Sequence, residues 1–574
     1  MTGSQGRVLS MHRIARLLQS GLSCAFLLGI SSSGLAQDRP SEEDMFGAPT
    51  SSPPAPASSA VAPASVDSGQ PPSVTPASAS LSAPGTTSTI PEAAAATGRE
   101  TKRDEQILGS SEATPMFTEE AAPDDPLKVG GQIYLRMQST ASQGQRFQDF
   151  SYSSPSMLDV YMDARPNDRV RAFARGRMLY DPTLPASTGN TNSISAVPAT
   201  GSTAGSQSLS SLFQTQTRDP KVYLDQLWIN FDIAHRLYVT AGKQHVRWGT
   251  GHFWAPTDYL HLSPRNPLDV FDARTGTTMV KLHLPIESRQ WNFYAFGITE
   301  GPDATQQLGK LAGAARAEFV LDATELGLGV FGRQSAKPKF AADLSTGIGD
   351  FDFYGELALK YRDDIDRVSY NPNAVVPTYP TGTAVPNWQT PDQTRSIWLS
   401  QVVDALYPVH RDRGIRPQVV AGTTYSRKYN DNDLFTVGAE YFYNSLGYNS
   451  PTAYPGLVLP HSGALSTLNT PATFFYLGRH YAALYATFPS PYSLDTHTFT
   501  LSTLCNLSDQ SFITRLDYSL VVLTHVRFEA FVSSRYGNAN GEFRFGVRNL
   551  NVGGVTFNLP PAFMDLGMAL RVAI

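Results

Sequence analysis

The chain has few of the features that stabilise a secreted soluble protein or a helical membrane protein. Only two of its 574 residues are cysteines, Cys24 and Cys505, and Cys24 lies in the N-terminal leader described below. The mature chain therefore keeps one cysteine and cannot form an intramolecular disulfide bond. Beyond the leader no stretch provides the roughly 18 consecutive apolar residues that a transmembrane helix needs, which excludes a bundle of membrane-spanning helices.

Charged residues are also scarce. They make up 17% of the chain, whereas soluble domains usually contain about 25%. Aromatic residues reach 11% and hydrophobic residues 41%, a composition that suits alternating strands better than apolar helices. The formal net charge of -5 argues against a nucleic-acid partner, because such partners select a basic surface.

Two segments precede the folded part of the chain. Residues 1–36 read as a secretory signal peptide, with Arg7, Arg13 and Arg16 before the apolar run LSCAFLLGI and small residues up to a cleavage site after Ala36. Residues 37–126 are rich in Pro, Ala and Ser, and such a segment buries too little apolar surface to offset its ordering entropy. We therefore expect a disordered periplasmic segment over 37–126, with a periplasmic protein as its candidate partner.

From Lys128 onward the residues alternate with a period of two. The clearest case is a predicted hairpin over residues 158–178, in which apolar side chains occupy the even positions and charged ones the odd positions. Charged side chains that faced lipid would each cost about 2 to 4 kcal/mol near the bilayer midplane, so the odd positions are predicted to face a lumen. These candidate pore-lining residues are Asp159, Asp163, Arg169, Arg171, Arg175 and Arg177.

The same hairpin allows a prediction of register. A three-residue turn at 166–168 places Asp163 opposite Arg171 and Asp159 opposite Arg175, with Tyr161 facing Phe173. The arginines then either brace the wall through acidic neighbours or bias the pore toward anions.

Similar alternating runs recur to the end of the chain, and their connections are alternately short and long. Short turns on one side and long loops on the other are typical of transmembrane barrels, and only closed barrels and helices satisfy every backbone group in lipid. The sequence therefore predicts an all-β fold over 127–574: a transmembrane antiparallel β-barrel of about eighteen strands, with sixteen as the alternative. A direct count reaches seventeen strands, and the pattern is poorest over 335–416, where we expect the miscounted strand.

One helix is predicted within that region. Thr390 as N-cap, Pro391 at the first helical position and Gln393 as capping-box partner mark its start, and Pro408 marks its stop. Trp398, Val402, Ala405 and Leu406 form its apolar stripe, which predicts packing against the barrel wall or a lid.

The segment 242–276, which we call the in-folded segment, interrupts the alternating pattern. An exposed loop with so many aromatic side chains would present an apolar patch to water, so the segment is predicted to fold into the lumen and narrow it. Its prolines and glycines disfavour a continuous helix or strand. The candidate constriction residues are Lys243, His245, Arg247, Trp248, Trp254, Asp258, Arg265, Asp269, Asp272 and Arg274.

These features together resemble the porin-like outer-membrane β-barrels of Gram-negative bacteria. The stretch GKQHVRWGTGHFWAPTD is similar to a Gly-Lys/Arg-Gln…Trp-Gly stretch of porin-like and surface-polysaccharide-associated barrels. Such barrels usually end in Phe or Trp, whereas Leu570, Val572 and Ile574 keep the spacing here without the aromatic residue. The resemblance implies outer-membrane lipid and the barrel-assembly machinery as partners, and no cofactor.

No motif in the chain indicates an enzyme. The chain has no GxSxG, and the spacing of His245, His252 and His261 matches no compact metal-ligand motif, so neither catalysis nor a metal is expected. A barrel of sixteen to eighteen strands leaves an aqueous lumen. The expected function is an outer-membrane channel for solutes; the alternatives are a barrel component of surface polysaccharide export or assembly, and a structural surface or motility anchor.

Overall fold

A computed structural model describes the chain from the start of the predicted barrel onward. The described residues are 126–184, 219–261, 264–269, 274–300, 311–334, 336–379, 391–429, 433–458, 461, 474–492, 494–552 and 555–573. The predicted signal peptide and all of the Pro/Ala/Ser-rich segment except its last residue lie outside this part of the chain.

Most of the described residues form β-strands. The strands are β1 (Leu127–Ser142), β2 (Ser151–Ser153), β3 (Ser156–Asn167), β4 (Val170–Tyr180), β5 (Lys221–Ile233), β6 (Leu237–Gln244), β7 (Thr277–Ile286), β8 (Trp291–Ile298), β9 (Ala312–Leu321), β10 (Thr324–Arg333), β11 (Lys339–Ile348), β12 (Phe351–Val368), β13 (Val409–Lys428), β14 (Leu434–Asn444), β15 (His480–Pro489), β16 (His497–Asn506), β17 (Ser511–Leu523), β18 (Val526–Gly537), β19 (Val547–Val552), β20 (Val555–Leu559) and β21 (Ala562–Ala573). The helices are α1 (Pro391–Leu406) and α2 (Tyr454–Val458).

The strands close into a barrel. Strand β2 is a short addition beside β1, and β19 pairs only with β20, which leaves eighteen of the twenty-one strands in the wall. Each wall strand is antiparallel to its neighbours, and β1 pairs with β3 on one side and with β21 on the other. The predicted porin-like architecture is confirmed, and the strand number is eighteen rather than sixteen.

Successive side chains of a wall strand point alternately to lipid and to the lumen. In β1, Leu135 and Met137 are about half exposed on the outer face, whereas Arg136 between them is 3% exposed and faces inward. The same holds in β3, where Val160 and Met162 are exposed. An apolar outer wall around a polar interior is the arrangement that a bilayer requires. None of the helices in the described part of the chain is long and apolar enough to span a membrane.

The two ends of the barrel differ as predicted. At one end the strands join through short turns, among them 234–236, where Ala234 and His235 both have positive φ angles that tighten the hairpin. Both termini of the wall also lie at this end, which we call the short-turn end. The other end carries the long connections, including those between β6 and β7, β12 and β13, and β14 and β15; we call it the long-loop end.

The region 335–416 contains more strand than its sequence pattern indicates. Strands β11 and β12 lie there, and β12 and β13 run for 18 and 20 residues, so the connection between them covers only 369–408. Helix α1 begins at Pro391 and ends at Leu406, as predicted. Trp398 and Val402 are buried in an aromatic cluster inside the barrel, and the Trp398 indole donates to the carbonyl of Pro377 at 2.8 Å.

The predicted register of the β3–β4 hairpin is wrong by two residues. Asp163 lies opposite Phe173, and Asp159 lies opposite Arg177, because the strands continue to a two-residue turn and a bulge follows Ala164. A shift of two residues is a full pleat period, so each side chain keeps its predicted face. The lumen-facing assignment therefore holds for the residues within the two strands although the pairing does not.

Candidate functional site

The in-folded segment leaves β6, enters the lumen and returns to β7. Its apolar side chains are among the most deeply buried of the described residues: Val246, Trp248, Phe253, Trp254 and Leu260 are all 3% exposed or less. The backbone between the two strands is irregular, as its prolines and glycines predict. The predicted inward folding of the segment is confirmed.

A carboxylate from a distant strand holds the first part of the segment. Glu356 of β12 accepts the Gly251 N–H at 2.6 Å, and it also accepts the hydroxyl of Thr257 at 2.7 Å. Gly249 has a φ of +96° and lies against this carboxylate, because a Cβ built there would be 2.4 Å from Oε1. A larger residue would therefore push the segment away from β12.

A second carboxylate, Glu440 of β14, holds the next turn of the chain. It accepts the backbone N–H groups of three successive residues, His252 at 2.7 Å, Phe253 at 3.2 Å and Trp254 at 2.9 Å, and the hydroxyl of Tyr354 at 2.8 Å. Successive amides that point at one carboxylate satisfy both the backbone and the charge in a buried site. In the order of the wall, β12 and β14 are six and eight strands from β6, so the segment crosses the lumen.

The two tryptophans of the segment belong to separate buried clusters. Trp248 packs edge-on against Phe296 of β8, and the Arg316 guanidinium lies 5.7 Å from its ring centroid. Trp254 stacks on Phe442 of β14, and its indole donates to the Phe475 carbonyl at 3.1 Å. Each ring therefore anchors the segment to a different part of the wall.

Most of the charged candidates in the segment brace it. The Arg247 guanidinium donates to the carbonyl of Gly251, and that of Arg265 to the carbonyl of His252 at 3.3 Å. Asp258 accepts from Arg274 at 3.0 Å and contacts His261 at 2.9 Å.

Three other candidates lie at the edges of the segment. Lys243 binds Glu300 at 3.1 Å, and His245 contacts Asp225 of β5 at 3.2 Å. Asp269 is placed near the tip by a bond from its backbone N–H to the Asn266 carbonyl. Asp272 lies outside the described residues.

The three histidines do not form a metal site in the described part of the chain. His245 and His261 contact different carboxylates, with ring centroids 5.8 Å apart, while His252 stacks on Tyr485 at 4.2 Å. Burial near Arg265 and Arg247 lowers the pKa of His252 to about 3, so this ring is neutral at ordinary pH. The described residues contain no group of three or more His, Cys, Asp and Glu side chains arranged to hold a metal ion.

The arginine ladder of β4 is mostly paired with carboxylates. Arg177 forms a two-point bond with Asp159 at 2.7 and 2.8 Å, and Arg171 forms one with Asp163 at 2.9 Å for both contacts. Such fork-like pairs fix geometry as well as charge. These two arginines therefore brace the lumen wall.

The remaining two ladder arginines differ from each other. Arg175 lies 3.8 Å from Asp225, within the lumen. Arg169 lies in the turn at the short-turn end, where its half-exposed side chain binds Asp232 at 3.0 Å. The assignment of Arg169 to the pore wall is therefore wrong, because the two-residue turn removes it from the strand.

A cleft remains between the tip of the in-folded segment and the opposite wall. Its lining residues come from β1, β17, β18, β21, the segment and the β14–β15 connection; they are Arg136, Gln138, Asn266, Leu268, Phe475, Ile513, Arg515, Phe531, Ser533 and Asp565. The guanidinium carbons of Arg136 and Arg515 lie 4.8 and 4.2 Å from the centroid of the Phe531 ring. Arg515 also donates to the Leu268 carbonyl at 3.1 Å and so touches the segment.

Several of these functional residues were missed from the sequence. Glu356, Glu440, Arg136 and Arg515 each occupy an inward position of an alternating strand, which is the only signal they carry. That signal is shared by every polar residue of the lumen wall. It indicates which face a residue takes, but not which residue touches the segment.

No protein-family model and no curated protein sequence matches this chain. Solved structures with a similar outline include OccAB1 of Acinetobacter baumannii, at 11% identity and a TM-score of 0.42, covering 81% of this chain and 99% of that chain. OccK8 (OprE) of Pseudomonas aeruginosa matches at 8% identity and a TM-score of 0.42, covering 78% of this chain and 98% of that chain. A triple mutant of the Rhodopseudomonas blastica porin matches at 10% identity and a TM-score of 0.33, covering 78% of this chain and 100% of that chain. The barrel architecture itself rests on the strand pairing described above.

Proposed function

We propose that the protein is an outer-membrane channel through which small solutes, with a preference for anions, pass along the arginine-lined wall beside the tip of the in-folded segment. The observation that carries this proposal is the set of arginines around a small cleft of about 20 Å³ between the tip of the segment and strands β17, β18, β21 and β1. The apolar outer wall and the predicted N-terminal secretory signal support the location.

The lumen is filled unequally. The two buried clusters around Trp248 and Trp254 draw their wall residues from β7 to β17, so that side is packed with apolar side chains. The opposite wall contributes only a small apolar cluster, Tyr134, Met157, Leu179 and Ala569, beside charged inward side chains such as Arg136 and Asp159. Water and ions follow a polar surface far more easily than an apolar one, which supports a route beside β1, β3, β4 and β21.

The charge along this route favours anions. Arg136 is almost fully buried, its Nε has no hydrogen-bond partner, and no acidic side chain among the described residues forms a salt bridge with it. Arg515 is partly neutralised by Asp517, which its guanidinium contacts at 2.8 Å. A buried cation without an ion pair makes the local potential positive and so attracts small anions.

Planar-bilayer recording of the mature protein tests the proposal. In a salt gradient the reversal potential of the wild type should show anion preference, and Arg136→Gln should reduce it because the unpaired charge is removed. Arg169→Gln is the matched control, since that arginine lies at the short-turn end and pairs with Asp232. Deletion of 250–272, which removes the crossing of the lumen, should enlarge the conductance.

Two outcomes would contradict the proposal. A wild type that stays closed while the deletion variant conducts would favour a gated barrel for surface polysaccharide export or assembly. If both proteins fold and neither carries current, the barrel is a structural anchor.

A further inference from the structure

Two carboxylates meet at the long-loop end of the barrel. Glu542 lies in a short helical turn after β18, and Asp509 lies in the turn between β16 and β17. Glu542 is fully buried and Asp509 is 2% exposed. The amide nitrogen of Asn506 donates to both, at 2.8 Å to Glu542 Oε2 and 2.8 Å to Asp509 Oδ2, so the two carboxyl groups lie side by side.

The other partners of Glu542 come from the end of the β14–β15 connection and the start of β15. The Leu477 N–H donates to Oε1 at 3.2 Å, and the Tyr481 hydroxyl donates to Oε2 at 2.6 Å. The Gly478 N–H donates to that same hydroxyl. Glu542 thus helps to hold residues 477–481, together with the backbone hydrogen bonds that join Tyr448 to Leu477 and Arg479.

The partners of Asp509 complete the cluster. The Tyr454 hydroxyl of α2 donates to Oδ2 at 3.0 Å, and the Glu542 N–H donates to it at 2.8 Å. Ser511 donates to Oδ1 from its N–H at 2.8 Å and from its hydroxyl at 2.6 Å. Every contact of the pair is therefore a neutral donor.

No cation compensates the pair in the described part of the chain. No Lys, Arg or His there forms a salt bridge with either carboxylate, and Arg544, two residues after Glu542, donates instead to the Gly537 carbonyl and to Gln143. Two adjacent buried carboxylates cannot both ionise without a large electrostatic cost. Burial and the charge of Asp509 raise the pKa of Glu542 to about 8.

The cluster is connected to the in-folded segment through Phe475 and Tyr476. Residues 475 and 476 precede the bonded Leu477: the Phe475 carbonyl accepts the indole N–H of Trp254, and the Tyr476 hydroxyl donates to the Arg265 carbonyl at 2.9 Å. A change in the position of Leu477 therefore alters the support of the segment from the outer side.

We propose that Glu542 and Asp509 form a proton-dependent latch. Protonation relieves the repulsion between the two buried carboxyl groups and so lets Glu542 keep its bonds to Leu477 and Tyr481. Loss of the proton restores the repulsion, separates Glu542 from Asp509 and releases these residues, and with them the outer support of the in-folded segment. An effect of the latch on solute passage rests on the proposed channel function. The pH-dependent contacts of Glu542 and Asp509 do not depend on that function.

The direction of the pH dependence follows from the protonation of Glu542. Its pKa is higher in the closed latch than in an open one, so protonation favours the closed form. The stability of the latch is fully present below the open-state pKa of about 4.5, decreases as the pH rises from there, and is lost above about pH 8. Raising the pH should therefore open the long-loop end.

Hydrogen exchange of the full mature protein in detergent micelles tests the latch directly. Between about pH 6 and about pH 9, the protection factors of the amides at 474–481 should fall by about tenfold or more in the wild type, since linkage allows up to tenfold per pH unit. In Glu542→Gln, which mimics the protonated carboxyl group, they should stay constant. Glu287→Gln, in an exposed turn at the short-turn end, is the matched control and should behave as the wild type.

Bilayer currents over the same pH range separate this proposal from the proposed function. Exchange that depends on pH in a protein that carries no current supports the latch and rejects the channel. A conducting protein whose exchange at 474–481 is independent of pH, or a Glu542→Gln variant that keeps the wild-type dependence, overturns the latch. Should Glu542→Gln not fold, Asp509→Asn is the second variant, and it should weaken the pH dependence because the repelling charge is gone.

Discussion

Glu440 accepts the backbone N–H of Trp254 at 2.9 Å, and the two residues are 186 positions apart in the chain. The contact joins the middle of a segment that starts at β6 to a strand on the far side of the barrel. Together with the bonds from the two preceding amides, it makes Glu440 one of the two carboxylates that hold the segment across the lumen.

Replacing Glu440 by Gln should loosen the segment. Glutamine has one acceptor where the carboxylate has two, so at least one of the three amides is left without a partner, at a cost of about 1 to 3 kcal/mol. The expected result is a lower thermal unfolding temperature and a larger or noisier channel current. Glu325→Gln, at the short-turn end of β10, is the control; equal effects of both substitutions would contradict the role of Glu440.

Gly249→Ala should displace the segment from β12. The added Cβ would meet the Glu356 carboxylate, and alanine rarely adopts the φ of +96° found there, so we expect a loss of about 1 to 3 kcal/mol. Gly297→Ala, whose Cβ would meet nothing within 4 Å, should leave stability unchanged. Thermal unfolding curves of the two variants measure the difference. Identical curves would contradict the close approach of Gly249 to the Glu356 carboxylate.

Removal of Arg177 should destabilise the wall strongly. Its guanidinium lies between Asp159 and Asp225, so Arg177→Met leaves two buried carboxylates with less compensation. Breaking one side of a buried pair typically costs about 3 to 5 kcal/mol. The double variant Arg177→Met, Asp159→Leu should recover part of the loss in thermal unfolding; no recovery would mean that the pair does not act as a unit.

Trimming residues 37–126 should leave the heat resistance of the barrel unchanged. The Pro/Ala/Ser-rich composition predicts a segment without fixed contacts to the barrel. Limited proteolysis of the purified protein, followed by a heat-modifiability gel, measures this. A barrel that no longer refolds after trimming would show that the segment templates or plugs it.

Local properties of the chain were predicted correctly from the sequence. The face of each residue within strands β3 and β4 followed from two-residue alternation, and helix α1 followed from Pro391 and the capping residues around it. The inward folding of Trp248 and Trp254 followed from the cost of exposing such rings to water. Each of these depends on neighbours a few residues away, so the sequence pattern carries the necessary information.

Contacts that depend on closure of the barrel were decided only by the tertiary structure. A bulge that the sequence composition does not indicate sets the register of β3 and β4. For that reason Arg169 lies in the turn and not in the barrel wall. Glu356 and Glu440 lie 105 and 188 positions from the amides they hold, and Asp509 meets Glu542 from a different hairpin. Alternation fixes the direction of a side chain, whereas its partner across the lumen depends on strand number, stagger and the path of the loops, which are properties of the closed barrel as a whole.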